Sequence, residues 1–339
     1  MILNWKEAWD KETMSRRSVN PNKICTFGVK PLDDALIGFL PDDFIVIAAD
    51  SGTGKSHIGI DIGVHNAMRG KNVAVYSLED GEEGSISRIK WKAMRSIYYD
   101  QKRTDIDWDF RKWRMNLDNN PALLQIEIDA MKLMDQKMGD NLHFWEVGEA
   151  FTIHDFQNSL GWFKRTKPGQ FLIEEHINID LLIIDHLQYF TFENPMNELS
   201  ETTEILKSLK NIAKHHKIPV LLISHLRKKE KNRGLPSQED LFGTSNIAKI
   251  CTQCIVLCPC NKGVDYMKDI YPTFFRFVKS RTGLKSNYAI LDDFHFKTGT
   301  YDEKYQLFYL IDNLPKEEFK PYQLPKWAYK PPENTNGQQ

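Results

Sequence analysis

Long apolar runs are missing from this chain. None approaches the roughly 20 residues that a membrane-spanning helix needs, and the first residues, Met1-Ile2-Leu3-Asn4-Trp5-Lys6, lack the apolar centre of a signal peptide. The expectation is a soluble protein of the cytoplasm. Net charge is missing too: 45 Lys and Arg against 46 Asp and Glu leave −1 at pH 7 over 339 residues. Without a global basic field, any hold on nucleic acid must come from local loops or from several copies acting together. Cysteine is scarce. Five residues, an odd number, suit a reducing compartment better than a disulfide framework. Four of them cluster as Cys251, Cys254, Cys258 and Cys260. A metal knuckle is one reading, but no second His/Cys knuckle of usual spacing completes it. Thiols buried in an apolar strand are the simpler one.

What the chain does have is the stretch Ala49-Asp50-Ser51-Gly52-Thr53-Gly54-Lys55-Ser56. An apolar run, Phe44–Ala48, precedes it, and a helical pattern over Ile58–Arg69 follows. Strand, glycine-bearing turn, helix is the context a nucleotide phosphate site requires. The glycines let backbone N–H groups turn inward, and the new helix aims its positive end at the phosphates. Lys55 would reach the β- and γ-phosphates of ATP, and the Ser56 hydroxyl would ligate Mg²⁺. The first position of the usual G-x-x-x-x-G-K-[ST] pattern is Ala49 here.

Further apolar strands read at Asn72–Leu78, Leu181–Asp185, Pro219–Ser224, Cys254–Cys258, Phe274–Val278 and Tyr288–Leu291, with a short one over Asn141–Glu146. A helix spans about Glu198–His216, and shorter ones fall around Leu32–Ile37 and after Thr244. Residues 82–170 are mainly helical in pattern and are the hardest stretch to read. A short amphipathic piece, Trp5–Trp9, leads a polar run to Asn22. Its two tryptophans need a surface, either the domain's own flank or a neighbouring subunit. Nearly all-apolar strands alternating with helices predict an α/β fold: a mostly parallel central sheet, helices on both faces, and extra C-terminal strands. Three segments are expected: 1–22, a domain over 23–313, and a flexible Pro/Lys-rich tail over 314–339.

In sheets of this kind ligands sit beyond the carboxyl ends of the strands. The P-loop, Glu79, Asp185, His225 and the Lys279/Arg281 pair are all expected at that one edge. Asp185 would hold the waters of Mg²⁺ opposite Ser56. Glu79 would polarise an attacking water, with Asp80, Glu82 and Glu83 as competitors. His225 would report loss of the γ-phosphate, or is an ordinary strand-end residue. Lys279 and Arg281, two apart, would supply charge to a transition state, or are a solvated basic pair. The densest basic run, Arg227, Lys228, Lys229, Lys231 and Arg233, hangs from the strand of His225. Such a run is usually a solvated face, but this one follows the γ-phosphate sensor.

Together these residues resemble the motor domain of the DnaB-type hexameric replicative helicases, within the RecA-like P-loop ATPases. The similarity rests on six ordered segments: Thr26–Asp42 into the P-loop; Ser77-Leu78-Glu79 with Arg88; Ile183–Gln188; Thr203–Leu226; Asp240–Ser245; and Lys279–Gly283. The resemblance implies an ATP- and Mg²⁺-dependent ring, usually of six copies, that moves 5′ to 3′ on single-stranded DNA. It implies that Glu79 is the catalytic carboxylate and that Lys279 and Arg281 reach the neighbouring subunit's nucleotide. It also implies that the loop Arg227–Ser245, including Phe242, Gly243 and Thr244, faces DNA. Phe242 and Gly243 replace a usual Arg-plus-polar pair. A primase, a helicase loader or a polymerase are the implied partners, and phage or plasmid origin suits a motor without a large N-terminal domain. An open-filament recombination ATPase, or a regulatory ATPase with no DNA track, are the competing readings.

Overall fold

A computed structural model describes residues 4–18, 24–100, 109–115, 121–145, 147–148, 150–160, 164–165, 175–176, 178–192, 197–226, 235, 241, 246–260, 270–280, 288–295, 298–301, 305–311 and 314–315. The helices are α1 (Trp5–Ser18), α2 (Lys30–Leu36), α3 (Lys55–Met68), α4 (Gly81–Asp100), α5 (Phe110–Arg114), α6 (Pro121–Met138), α7 (Ile153–Ser159), α8 (Glu198–His216) and α9 (Asn246–Ile250). The strands are β1 (Phe44–Ala49), β2 (Val73–Ser77), β3 (Leu142–Trp145), β4 (Lys164–Arg165), β5 (Glu175–His176), β6 (Leu181–Asp185) and β7 (Val220–His225). They continue with β8 (Gln253–Pro259), β9 (Ile270–Ser280), β10 (Tyr288–His295), β11 (Thr300–Tyr301), β12 (Gln306–Ile311) and β13 (Leu314–Pro315).

An eleven-stranded sheet orders them β13-β12-β10-β9-β8-β1-β7-β6-β2-β3, with β11 on β10. From β8 to β3 the pairing is parallel, and from β8 outward through β9, β10, β12 and β13 it is antiparallel. The parallel strands are apolar on both faces because both are covered. β1 shows the alternation: Val46 and Ala48 join one core with Leu206, Leu209 and Ile212 of α8, while Ile45 and Ile47 join the other with Ile58 and Ile62 of α3. Burying each such Val, Leu or Ile side chain is worth about 1.5–3 kcal/mol. α3 lies close on the sheet because it presents glycine there: a Cβ on Gly59 would sit 3.3 Å from Ile223, and one on Gly63 3.2 Å from Ile183.

Several expectations are corrected here. α1 runs to Ser18, well beyond the Trp5–Trp9 piece, and Trp5 and Trp9 stand exposed. Among the described residues, the domain's own flank does not cover them. The stretch after Gly81 builds a third, separate core, in which Trp91, Met94 and Tyr98 of α4 pack on Leu123, Ile126 and Ala130 of α6. Periodicity alone did not reveal this layer because these side chains of α4 and α6 meet one another and not the sheet. β13, paired with β12, carries the sheet two residues past the boundary expected at 313. Residues 316–339, the rest of the expected tail, lie outside the described residues. Cys251, Cys254 and Cys258 face the α8 side of the core, as an apolar strand requires.

Candidate active site

β1 ends at Ala49, and the chain turns through Asp50–Thr53 into α3. Gly54, the residue that caps α3, has φ +82°, a conformation L side chains resist. A Cβ there would also lie 2.7 Å from the ring of Phe294 on β10. Thr53 Oγ1 donates to the Asp50 carbonyl at 2.8 Å, which tightens the turn. Lys55, buried, opens α3, and the helix's positive end therefore faces the loop.

The register of the parallel strands assembles the remaining groups. Ala49 is opposite His225, and Ser77 is opposite Asp185. Glu79, two residues past Ser77, donates its N–H to the Asp185 carbonyl at 3.3 Å. Its Oε2 lies 3.9 Å from Lys55 Nζ. Among the competing carboxylates, Asp80 is instead paired with Arg88 of α4, and Glu82 and Glu83 lie in the first turn of that helix. Geometry thus singles out Glu79 as the carboxylate beside the P-loop lysine.

Asp185 is buried, and burial pushes its carboxyl up to about 6. The nearby Glu79 charge adds to that push, while a hydrogen bond with Ser56 and the cations Arg88 and Lys55 oppose it. Its Oδ1 has no partner among the described residues. A buried carboxylate that is hydrogen-bonded to the loop's Ser56 and keeps one oxygen unsatisfied fits the needs of Mg²⁺, a hard cation that takes oxygen ligands. His225 sits at the end of β7, and Leu226 N donates to the Ala49 carbonyl at 3.1 Å. Burial, then Lys55, lower the basicity of His225.

Beside these groups lies a cavity of about 400 Å³. Lys55, Glu79, Arg88, Arg111, Arg114 and Phe294 are among its walls. That volume is within the usual range for small-molecule sites. Arg88 counted in sequence only as part of a motif, yet its Nε and Nη1 are buried without partners among the described residues, beside the P-loop. Arg111 and Arg114 of α5, His186 and Phe294 were not singled out as site residues. A basic wall carried on a five-residue helix, remote in sequence from the P-loop, leaves no local signal.

Lys279 is the correction. β9 runs antiparallel to β8, and Lys279 is opposite Cys254, which pairs with Val46 near the amino end of β1. It therefore does not share the P-loop's edge in its own chain. Its Nζ donates to the carbonyls of Ala248 and Lys249, the latter at 3.1 Å, closing the end of α9. The alternation of sheet direction after β8 is what sequence could not supply. Arg281, Arg227, Lys228, Lys229, Lys231, Arg233, Phe242, Gly243 and Thr244 lie outside the described residues.

The P-loop, its neighbouring carboxylates and the doubly covered parallel sheet define a RecA-like P-loop ATPase. The chain belongs to the AAA domain family, whose profile matches residues 12–231. Among curated proteins it is similar to a probable plasmid replicative DNA helicase of Chlamydia psittaci, 26% identical over 224 residues, covering 65% of this chain and 43% of that one. The replicative DNA helicase DnaB of Haemophilus influenzae is 27% identical over 228 residues, 66% of this chain and 43% of that one. The chain thus spans less than half the length of these relatives. Among solved structures, one ATPase domain superposes with a TM-score of 0.68 at 17% identity, over 89% of this chain and 99% of that one. A DnaB-like replicative helicase, described with its interactions with primase, gives 0.66 at 17% identity, over 88% and 68%. These two likenesses concern the fold. No helix among the described residues is long and apolar enough to cross a membrane.

Proposed function

We propose that this chain is the motor of a ring-forming replicative DNA helicase that hydrolyses ATP to move along single-stranded DNA. The observation that carries the reading is the convergence of Lys55, Ser56, Glu79, Asp185 and His225 at the ends of adjacent parallel strands, in a chain similar to replicative helicases.

Ala49–Gly54 wrap the phosphates, Lys55 meets the β- and γ-phosphates, and Ser56 and Asp185 hold Mg²⁺. When bound, the metal neutralises charge on the phosphate oxygens. Glu79 orients the attacking water. His225 contacts the γ-phosphate and transmits its loss through β7 to the following loop. There Arg227, Lys228, Lys229, Lys231, Arg233, Phe242, Gly243 and Thr244 hold DNA.

Lys279 and Arg281 act on the nucleotide of the next copy. The position of Lys279 away from its own P-loop edge supports a role in trans, since it is poorly placed to serve its own site. Six near-neutral subunits can bind DNA because their loop contacts add. The exposed Trp5 and Trp9 of α1 supply a surface for the adjoining copy. A primase, loader or polymerase would work with this ring in a bacterial cytoplasm, that of an infected host included.

A strand-displacement assay on forked DNA with either tail removed tests activity and polarity together. Unwinding that needs the 5′ tail is the expected result. Filaments in negative stain would favour a recombination ATPase instead. ATPase activity indifferent to single-stranded DNA would leave only a regulatory role.

A further inference from the structure

The structure places two histidines and a carboxylate where sequence considered only one of the histidines. Glu79, His186 and His225 each offer a ligand atom, and all three atoms lie within 4.8 Å of one another. The groups come from three neighbouring places on the sheet edge: beyond β2, beyond β6 and the end of β7. The two imidazoles face each other with centroids 3.9 Å apart and planes inclined by 53°.

His186 is the unusual member. It is fully buried, and neither ring nitrogen has a hydrogen-bond partner among the described residues. The nearby Gln188 amide is engaged elsewhere: its Nε2 donates to Ser224 Oγ at 3.2 Å and its Oε1 accepts from His225 N at 3.4 Å. A buried polar ring without partners costs roughly 1–3 kcal/mol, so a ligand that satisfies it is favoured. The Lys55 ammonium, at 3.9 Å, is beyond the usual 2.7–2.9 Å of a charge-assisted hydrogen bond. Glu79 is therefore not fully engaged by it.

We propose that Glu79, His186 and His225 form a site for a borderline transition-metal ion of the Zn²⁺ class in the nucleotide-free chain. Two imidazoles and one carboxylate are a known ligand set for such ions, with a fourth position left to solvent. Mg²⁺ prefers oxygen ligands and is not the occupant. The site is distinct from the Ser56–Asp185 pair. On the functional reading above, the ion would engage the water-orienting carboxylate and the γ-phosphate sensor together, and so inhibit hydrolysis. That consequence rests on the reading; the binding does not.

Calorimetric titration of the full nucleotide-free chain with Zn²⁺ alone, and visible spectroscopy with Co²⁺, test the site. One equivalent should bind, with a cobalt spectrum free of thiolate charge-transfer bands. His186→Phe and His225→Gln should each weaken binding at least about tenfold, the scale on which even supporting groups act. If His186→Phe loses the wild-type circular dichroism spectrum, His225→Gln decides. No stoichiometric binding, unchanged affinity in a folded variant, or a thiolate band that points to Cys251–Cys260 would overturn the site. Metal-loaded protein that binds one equivalent yet hydrolyses ATP at the metal-free rate would keep the site and refute the roles given to Glu79 and His225.

Discussion

Lys55 Nζ and Glu79 Oε2 are 3.9 Å apart across the mouth of the P-loop, the cation on the first turn of α3 and the carboxylate just beyond β2. The two have separable roles. Lys55→Ala removes a charged contact worth about 1.5–3 kcal/mol, so affinity for fluorescent ATP should fall roughly 10- to 150-fold. Glu79→Gln should bind nucleotide nearly as well while phosphate release slows by about 10²–10⁴. A Glu79→Gln enzyme that turns over at the wild-type rate would transfer the role to Asp80, Glu82 or Glu83.

Gly54 is held by two constraints, a φ of +82° and the ring of Phe294, 2.7 Å from where an alanine methyl would sit. Gly54→Ala should destabilise the protein by about 1–3 kcal/mol for the backbone alone, with a further cost for displacing the ring. In urea titrations, the double variant Gly54→Ala/Phe294→Ala should lose less than the sum of the two single losses. Additive losses would mean that the ring gives way freely.

Arg281 is expected to serve the neighbouring copy. Arg281→Ala should retain ATP binding and lose hydrolysis. Mixed with Lys55→Ala protein, which keeps Arg281 but lacks a competent P-loop, it should regain part of the hydrolysis, because its own P-loop then meets a neighbour's arginine. No recovery in mixed assemblies would place the residue's action within its own chain.

The cysteines should divide into one accessible thiol and four protected ones. Cys25, Cys251, Cys254 and Cys258 are buried, and Cys260 is partly exposed. Burial pushes the Cys25 thiol up to about 12. A hydrogen bond with Cys251, then burial, raise that of Cys254. A raised thiol value means less thiolate at pH 8, hence slower reaction. Ellman's reagent should titrate one thiol quickly and five after denaturation; rapid reaction of several in the native protein would contradict this packing.

Asp33 gives a pH dependence. Its carboxylate accepts N–H bonds from Phe27 at 2.6 Å and Gly28 at 3.1 Å. Burial, outweighing those bonds, raises its carboxyl from 3.8 to about 6. The folded state thus holds the proton more tightly, so the stability linked to it is full below about pH 3.8 and is lost as pH rises through about 6. The melting temperature of wild type minus that of Asp33→Asn should therefore be larger at pH 4 than at pH 7. A gap that widens toward neutral pH would show that the hydrogen bonds dominate burial.

The P-loop, the six parallel strands and the helix Glu198–His216 were legible because each is a local pattern. Glycine at a forced turn, unbroken apolar runs and a 3.6-residue stripe depend only on near neighbours along the chain. That Glu79, Asp185 and His225 share one edge was legible as well, since parallel strands put all their carboxyl ends on one side. Strand direction after β8, the α4–α6 layer and the walls Arg88, Arg111 and Arg114 required the tertiary structure. Each depends on which distant surface an element meets, and no sequence window contains that surface. The meeting of His186 with His225 is of the same kind: 39 positions separate them in sequence, and only the pairing of β6 with β7 brings the two rings face to face.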